Sequence, residues 1–490
     1  MKNKQLLVLF LAASMLLSAS CQSGSNDTPS SDDTTTNPPE TEADVLDFLP
    51  EGLDYGGKEV SILYAQVVMN NLGEENEVTY SLDETGSGDI VIDAVYKRTK
   101  TVEEKLNVKI VSREEDCYDT LKTAIMENAL SGSNDFQAVC GRLATMSGVV
   151  PEGYFYNLRD IDTLDLSNAW WDQAVNEGML LNGKQYFMTG DINYYDDYAV
   201  IAMAFNKKLF EDYHLEEPYD MVREGTWDFE AFCSIVKNAQ IDLNNDGKYD
   251  ENDFYGFTAD QRFGTSTLLG FGERVTTTAD DGSIVFNQSE SMISKAMTMA
   301  EQLLSEDAFL VKERKLGYAL GDALFPNGQA LMAQTLIGSI VSYRQQMTDD
   351  FGILPFPKYD EAQEDYISSV NPYWASVYAV SSSCQDTDMI GYVLDTMGAL
   401  STDTVVEAVI EKNVLVKSSR DEDSAEMLRL IFKSKILEPA IAYSSWGAEQ
   451  IWNTITMWND ANGFVSYIAE NAPAANQKIA DMMEKLDALE

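Results

Sequence analysis

At 490 residues the chain exceeds what one hydrophobic core holds, so two or three domains are expected. A hydrophobic share of 44% with 10% aromatics belongs to a globular protein rather than a disordered one. The formal net charge of −47 argues against nucleic acid, whose phosphates require Lys and Arg, and against electrostatic docking on anionic lipid.

Residues 1–20 read as a secretory signal. Lys2 and Lys4 supply a positive start, and the apolar run Leu6 to Leu17 is too short for a bilayer span. The small residues Ser18, Ala19 and Ser20 precede Cys21, and this ending resembles a lipobox, which implies that Cys21 becomes the acylated N-terminus after cleavage. Ser18 stands where that pattern more often has Leu. Residues 21–57 are largely Ser, Thr, Asp and Pro and read as a disordered tether between lipid and folded protein. Cys117, Cys140, Cys233 and Cys384 fit no metal spacing and are expected as buried, unpaired thiols.

A first lobe is expected over 58–197 with a return over about 376–415. Glu59 to Ala65, Val108 to Val111 and Phe136 to Cys140 read as strands. Between them fall helical stripes at Ile92, Val95, Val102 and Leu106, and at Tyr118, Leu121, Ile125 and Ala129, the latter stopped by Gly132. That alternation predicts a parallel sheet, whose ligands bind at the carboxyl ends of the strands. Arg142 leaves the third strand at that edge, either as a solvated charge or as a fork of donors for ligand hydroxyls. Of the adjacent Trp170 and Trp171, at most one can face a cleft. Asn182-Gly183 between apolar runs predicts a hairpin. It delivers Gly190, which permits close backbone approach, and then Asp191, Tyr194 and Tyr195 as cleft candidates.

The run Tyr198 to Phe205 suits a strand buried on both faces, with Asn206 as N-cap of a helix over Lys207 to Tyr213. It reads as the first crossing into a second lobe over 198–375 plus about 416–490. The segments AFNKKLFEDY, EEPYDMVREGTWDFEAF, DLNNDGKYDENDFYGF and FGILPFPKYDEAQEDY are similar to those of the extracellular solute-binding proteins of family 1. The resemblance implies a two-lobed α/β fold like that of periplasmic binding proteins, with an interlobe ligand cleft and hinge crossings. It also implies a saccharide ligand, a monomer, and the transmembrane subunits of an ABC permease as partners.

Within the second lobe, Asp242, Asn244, Asp246, Lys248 (through its carbonyl) and Asp253 fall at positions 1, 3, 5, 7 and 12 of an EF-hand-type loop, with Gly247 at 6 and Asp250 at 9. A structural Ca²⁺ is expected there, held weakly because the loop ends in Asp rather than Glu. Asn371-Pro372-Tyr373-Trp374 precedes the return crossing, and Trp446 lies in a break among C-terminal helices. Trp374 and Trp446, with Tyr194 and Tyr195, are either platforms for a sugar ring or seals of the interlobe core. The single histidine, His214, leaves no obvious Ser/His/Asp or Cys/His relay, so no enzyme is expected. A secreted glycoside hydrolase and a passive carbohydrate-binding surface protein are the alternatives.

Overall fold

The computed structural model describes residues 45–66, 76–83, 85–237, 239–247, 249–260, 262–280, 282–304, 309–311, 323–415, 422–457 and 461–489. The signal and Cys21 lie outside them. In chain order the strands are β1 (Lys58–Gln66), β2 (Val108–Asp116), β3 (Ala138–Arg142), β4 (Ile201–Asn206), β5 (Tyr255–Ala259), β6 (Thr276–Thr278), β7 (Ile284–Phe286), β8 (Phe309–Val311), β9 (Ala330–Leu336), β10 (Phe351–Leu354), β11 (Ser368–Ser369), β12 (Ser376–Val380) and β13 (Lys435–Ile436).

Two sheets organise the chain, one in each half of a two-lobed α/β fold of the periplasmic-binding-protein kind. The first has the order β12-β3-β1-β2, with β1, β2 and β3 parallel and β12 antiparallel to β3. Its alternation is visible along β1, where Val60, Ile62 and Tyr64 pack into one apolar layer and Leu63 and Ala65 into the other. The expected helices form between these strands at Ile90–Leu106 and Asp119–Ser131. The first is capped by Asp89, which accepts from the Val91 and Ile92 amides, and its buried face starts at Val91 rather than Ile92. The second ends at Gly132 with φ 64°, the left-handed conformation that closes a helix, and Tyr118 lies outside its buried face.

The second sheet has the order β10-β4-β9-β5-β8. All six residues of β4 are buried, as a run without polar alternation requires, and the Asn206 side chain accepts from the Leu209 amide to start the helix Lys207–Asp212. The two crossings meet: Val200 and Val370 form an antiparallel bridge, and the Asn371 amide donates to the Ala199 carbonyl at 3.0 Å. After β12 the chain runs through a helix at Thr387–Ser401 packed on Ile90–Leu106. Its last helix, Ala461–Asp487, touches both β7 and the 3-10 turn Ser147–Glu152.

The hairpin forms where Asn182-Gly183 places it, with φ of 48° and 78°, both positive as this turn type demands. Gly190 bridges Trp171, and a β-carbon there would meet the Trp170 carbonyl oxygen at 2.2 Å. One boundary moves. Residues 45–57, assigned to the tether by composition, are packed onto the first lobe. Leu46 is buried, Phe48 lies 5.5 Å from the Trp170 ring, Leu49, Leu53 and Tyr55 join the core, and the Tyr55 amide donates to the Leu106 carbonyl at 3.0 Å. Five large apolar side chains in thirteen residues carry enough area to order the segment, which an average over the whole tether hides.

Candidate functional site

The carboxyl ends of parallel strands in the two sheets bring a small set of polar and aromatic side chains onto Tyr373 of the return crossing. Arg142 ends β3, and its guanidinium lies 5.1 Å from the Tyr373 ring centroid and 5.0 Å from that of Tyr118, which follows β2. Its Nε donates to the Tyr373 carbonyl at 2.7 Å. Arg262, three residues beyond β5, stacks on the same Tyr373 ring at 4.5 Å. Its Nη1 meets Glu449 Oε1 at 2.6 Å, and Asp260, also just past β5, adds a second negative charge nearby. Burial pushes the Glu449 carboxyl above its ordinary value, opposed by Arg262 and by Asn453, which donates to it at 3.3 Å. Glu449 Oε2 is buried with no hydrogen-bond partner among the described residues. Tyr118 is 54% exposed, and Tyr373, Trp374 and Arg142 are half-buried. The arrangement offers aromatic faces, two guanidinium forks and an unfilled carboxylate acceptor, the groups that hold a hydroxyl-rich ring.

Of the residues singled out from sequence, Arg142 belongs to this set, Trp374 is the half-buried chain neighbour of Tyr373, and the others lie elsewhere. Tyr194 and Tyr195 are fully buried, stacked at 5.3 Å, with Tyr198 edge-on to both. They are interior packing, not cleft walls. Their amides donate to Glu77 Oε1 at 2.7 and 2.9 Å, which fixes the approach to the first crossing. Trp446 is 1% exposed, stacked on Tyr443 at 5.4 Å, with Nε1 directed at Met482 Sδ at 3.0 Å, so it seals the C-terminal helix to its neighbours. Trp170 and Trp171 both donate to Asp395 Oδ1, at 2.7 and 3.0 Å. Aromatic residue type alone does not separate a platform from a seal. Tyr118, Arg262 and Glu449 were missed for a different reason: only the fold brings them together, although the strand-end rule that picked Arg142 points equally to Tyr118 and Arg262.

Asp191 accepts from the Thr402 hydroxyl and borders a second ionic cluster. There Lys435 of β13 reaches Asp172 at 2.5 Å, Asp196 at 3.0 Å and Asp197 at 2.6 Å. Burial works against the Lys435 charge, but the three carboxylates outweigh it and hold the ammonium above its usual range. Burial also raises Asp196 and Asp197, with Lys435 opposing it. At Asp191, burial with the neighbouring Asp172 and Asp197 outweighs Thr402 and Lys435 and carries the carboxyl up to about 7.

The calcium expectation meets a loop closed by its own amides. Asp242 accepts from the amides of Asn245 at 2.6 Å and Gly247 at 2.8 Å, and Asn244 from that of Asp246 at 2.9 Å. Asp253 is fully buried, with one oxygen on the Leu243 amide at 3.0 Å and the other on the Asp250 amide at 2.8 Å. Lys248 lies outside the described residues. Among those described, no group of three or more His, Cys, Asp or Glu side chains converges as metal ligands would. At position 12 both carboxylate oxygens of Asp253 are engaged by backbone amides, while Asp242, Asn244 and Asp246 keep the spacing of a calcium loop.

No protein-family model matches the chain, and no curated protein matches it either. Solved structures do. A cyclic α-maltosyl-1,6-maltose binding protein from Arthrobacter globiformis superposes with a TM-score of 0.55 at 16% identity, covering 87% of this chain and 99% of that one. An ABC substrate-binding protein from Listeria monocytogenes, in complex with cycloalternan, gives 0.54 at 12% identity over 87% and 99%. A maltose/maltodextrin-binding domain from Bdellovibrio bacteriovorus, bound to maltotriose, gives 0.51 at 15% identity over 86% and 100%. At these identities the likeness is one of fold.

Proposed function

We propose that this chain is the saccharide-capturing component of an ABC importer. The observation that carries this reading is the convergence of Tyr118 and Arg142 from one sheet, and Arg262 and Glu449 from the other half, on Tyr373 of the return crossing. A sugar there would stack on the aromatic faces and hydrogen-bond to the guanidinium and carboxylate groups. Tyr373 and Trp374 follow directly on the paired crossings at Ala199–Val200 and Val370–Asn371, so closure about those two strands would bring the halves onto the ligand. Acylation at Cys21 would anchor the protein as a monomer on the extracytoplasmic face of the membrane, beside the permease that takes the sugar. Membrane fractionation of Cys21→Ala reads the anchor: the variant is expected in the soluble fraction.

The deciding experiment is thermal melting of the purified protein against a panel of mono- and oligosaccharides. A ligand that binds only the native state raises Tm by mass action. At least one saccharide is expected to do so without being hydrolysed, and Tyr373→Ala is expected to bind it roughly tenfold more weakly, the scale of a lost aromatic contact, while staying folded. A panel without any shift sinks the reading, and turnover of the sugar replaces it with a glycosidase.

A further inference from the structure

We infer that the saccharide taken at Tyr373 carries a carboxylate, as a uronic acid unit does, and that Arg142 is the residue that reads it. This inference rests on the saccharide-binding reading above and adds the ligand's charge.

The starting observation is a cation with no counter-ion among the described residues, in a chain that has 81 acidic residues and 34 Lys and Arg. In such a chain most partly buried cations find carboxylates, while Lys358 is met by the Gln363 carbonyl at 2.8 Å and the Tyr366 ring. Arg262 has Glu449, Lys295 has Glu273, Lys412 has Asp89, and Lys435 has three aspartates. Arg98, fully buried, has no carboxylate partner among the described residues, but it donates to the carbonyls of Glu77, Val78 and Ile192. Arg142 has a single carbonyl and two aromatic rings. Among the described residues its only hydrogen bond is from Nε to the Tyr373 carbonyl, and no carboxylate pairs with it.

Its geometry is nonetheless fixed. The rings of Tyr118 and Tyr373 lie 5.0 and 5.1 Å from the guanidinium carbon, and Nε is tied down at 2.7 Å. The edge left over is the Nη1–Nη2 pair, whose parallel N–H bonds match the two oxygens of a carboxylate. A planar fork held between aromatic rings with one edge unused loses little freedom when it binds.

Energetics favour an anion over a hydroxyl. A guanidinium that gives up its remaining water when a ligand covers it incurs a desolvation cost that a neutral hydroxyl repays poorly and a carboxylate repays well. A neutral sugar would leave the positive charge covered and unpaired. A uronate would pair it with one negative charge, while its ring still used Tyr373 and the hydroxyl partners.

The test is isothermal titration of the purified protein with gluco-, galacto- and manno-oligosaccharides and with the matching oligouronates, repeated with the corresponding sugar phosphates. The expected result is one uronate series binding at least about tenfold more tightly than its neutral counterpart, the scale of a charge-assisted hydrogen-bonded pair. That preference should vanish in Arg142→Gln and return in part in Arg142→Lys, which restores the charge without the fork. Equal binding of uronate and neutral sugar by the unmodified protein overturns the inference and leaves the saccharide reading standing. A uronate preference that survives in folded Arg142→Gln removes Arg142 from the role, and a preference for the phosphate over the uronate overturns the carboxylate assignment. Binding of none of these compounds overturns the saccharide reading itself. The comparison within the unmodified protein decides the matter even where a variant fails to fold.

Discussion

Lys435 and Arg142 are both cations in an acid-rich chain, and they sit in opposite settings. Lys435 is buried among Asp172, Asp196 and Asp197, with excess negative charge packed around it. Arg142 is half-buried between two tyrosines with no carboxylate partner among the described residues. The first cluster joins β13 to the residues just before the first crossing, so its bonds are internal and complete on the cation's side. The second lies at strand ends of two sheets and leaves donors and an acceptor over. Perturbed titration by itself would select the Lys435 cluster as the functional site. Counting which groups already have partners selects the other.

The comparison breaks most visibly at Lys435. Replacing it by Met leaves the buried Asp196 and Asp197 and the partly buried Asp172 without their cation, which should cost about 3–5 kcal/mol of stability, as losing one partner of a buried ionic pair does. Thermal melting of Lys435→Met should show a large fall in Tm, partly recovered when Asp196→Asn is added. Arg142→Gln, at a site whose role is outside the fold's own bonding, should melt close to the unmodified protein. A Lys435→Met variant as stable as its parent would undo the distinction.

A smaller effect is expected at Asp191, where the two properties meet: a raised carboxyl beside the Lys435 cluster, partly open to solvent. Its folded value of about 7 stands above the ordinary 3.8. The protonated form is therefore the one the fold favours, and the stability it contributes is fully present below the ordinary value and lost as pH rises through about 7. Asp191→Asn removes this dependence while keeping an acceptor for Thr402. The Tm of Asp191→Asn minus that of the parent should rise by roughly 1–3 °C between pH 5 and pH 8. A difference independent of pH would return Asp191 to an ordinary carboxylate.

The smallest effect concerns the loop Asp242 to Asp253. Closed by its own amides, it should melt within about 1 °C in excess calcium and in chelator, since an ion that binds no native site adds no stability. A clear rise in Tm with calcium would show that Asp253 can turn from the Leu243 and Asp250 amides toward an ion.

How much of this was legible follows from how local each signal is. The Asn206 cap and the Asn182-Gly183 turn depend on neighbours within a few residues and form where the pattern puts them, whereas the first stripe starts at Val91 rather than Ile92 and β4 starts at Ile201, with Tyr198 ending the short helix Tyr195–Tyr198. The first sheet's parallel order follows from the alternation of elements. The site is not local. Tyr118, Arg142, Arg262, Tyr373 and Glu449 are spread over more than 300 positions and meet only through two sheets and a crossing. Tyr194, Tyr195 and Trp446 have the residue type of aromatic platforms, yet all three are buried and stacked on a neighbouring ring. The loop shows the same limit, because its spacing is that of a calcium loop while the rotamer of Asp253 decides what the carboxylate meets.

The four described cysteines, none in a disulfide and none more than 4% exposed, make the chain its own stopwatch. Burial lifts the thiols of Cys233 to about 12 and Cys384 to about 11, so neither supplies thiolate at neutral pH while folded. A thiol reagent therefore registers only opening. Cys117, Cys140 and Cys384 lie in or beside the first sheet, and Cys233 lies on the helix Phe229–Val236 packed against β5 of the second. The order in which they are modified in dilute denaturant would report which half comes apart first, with no label added to the molecule and no cross-link among the described residues to be broken beforehand.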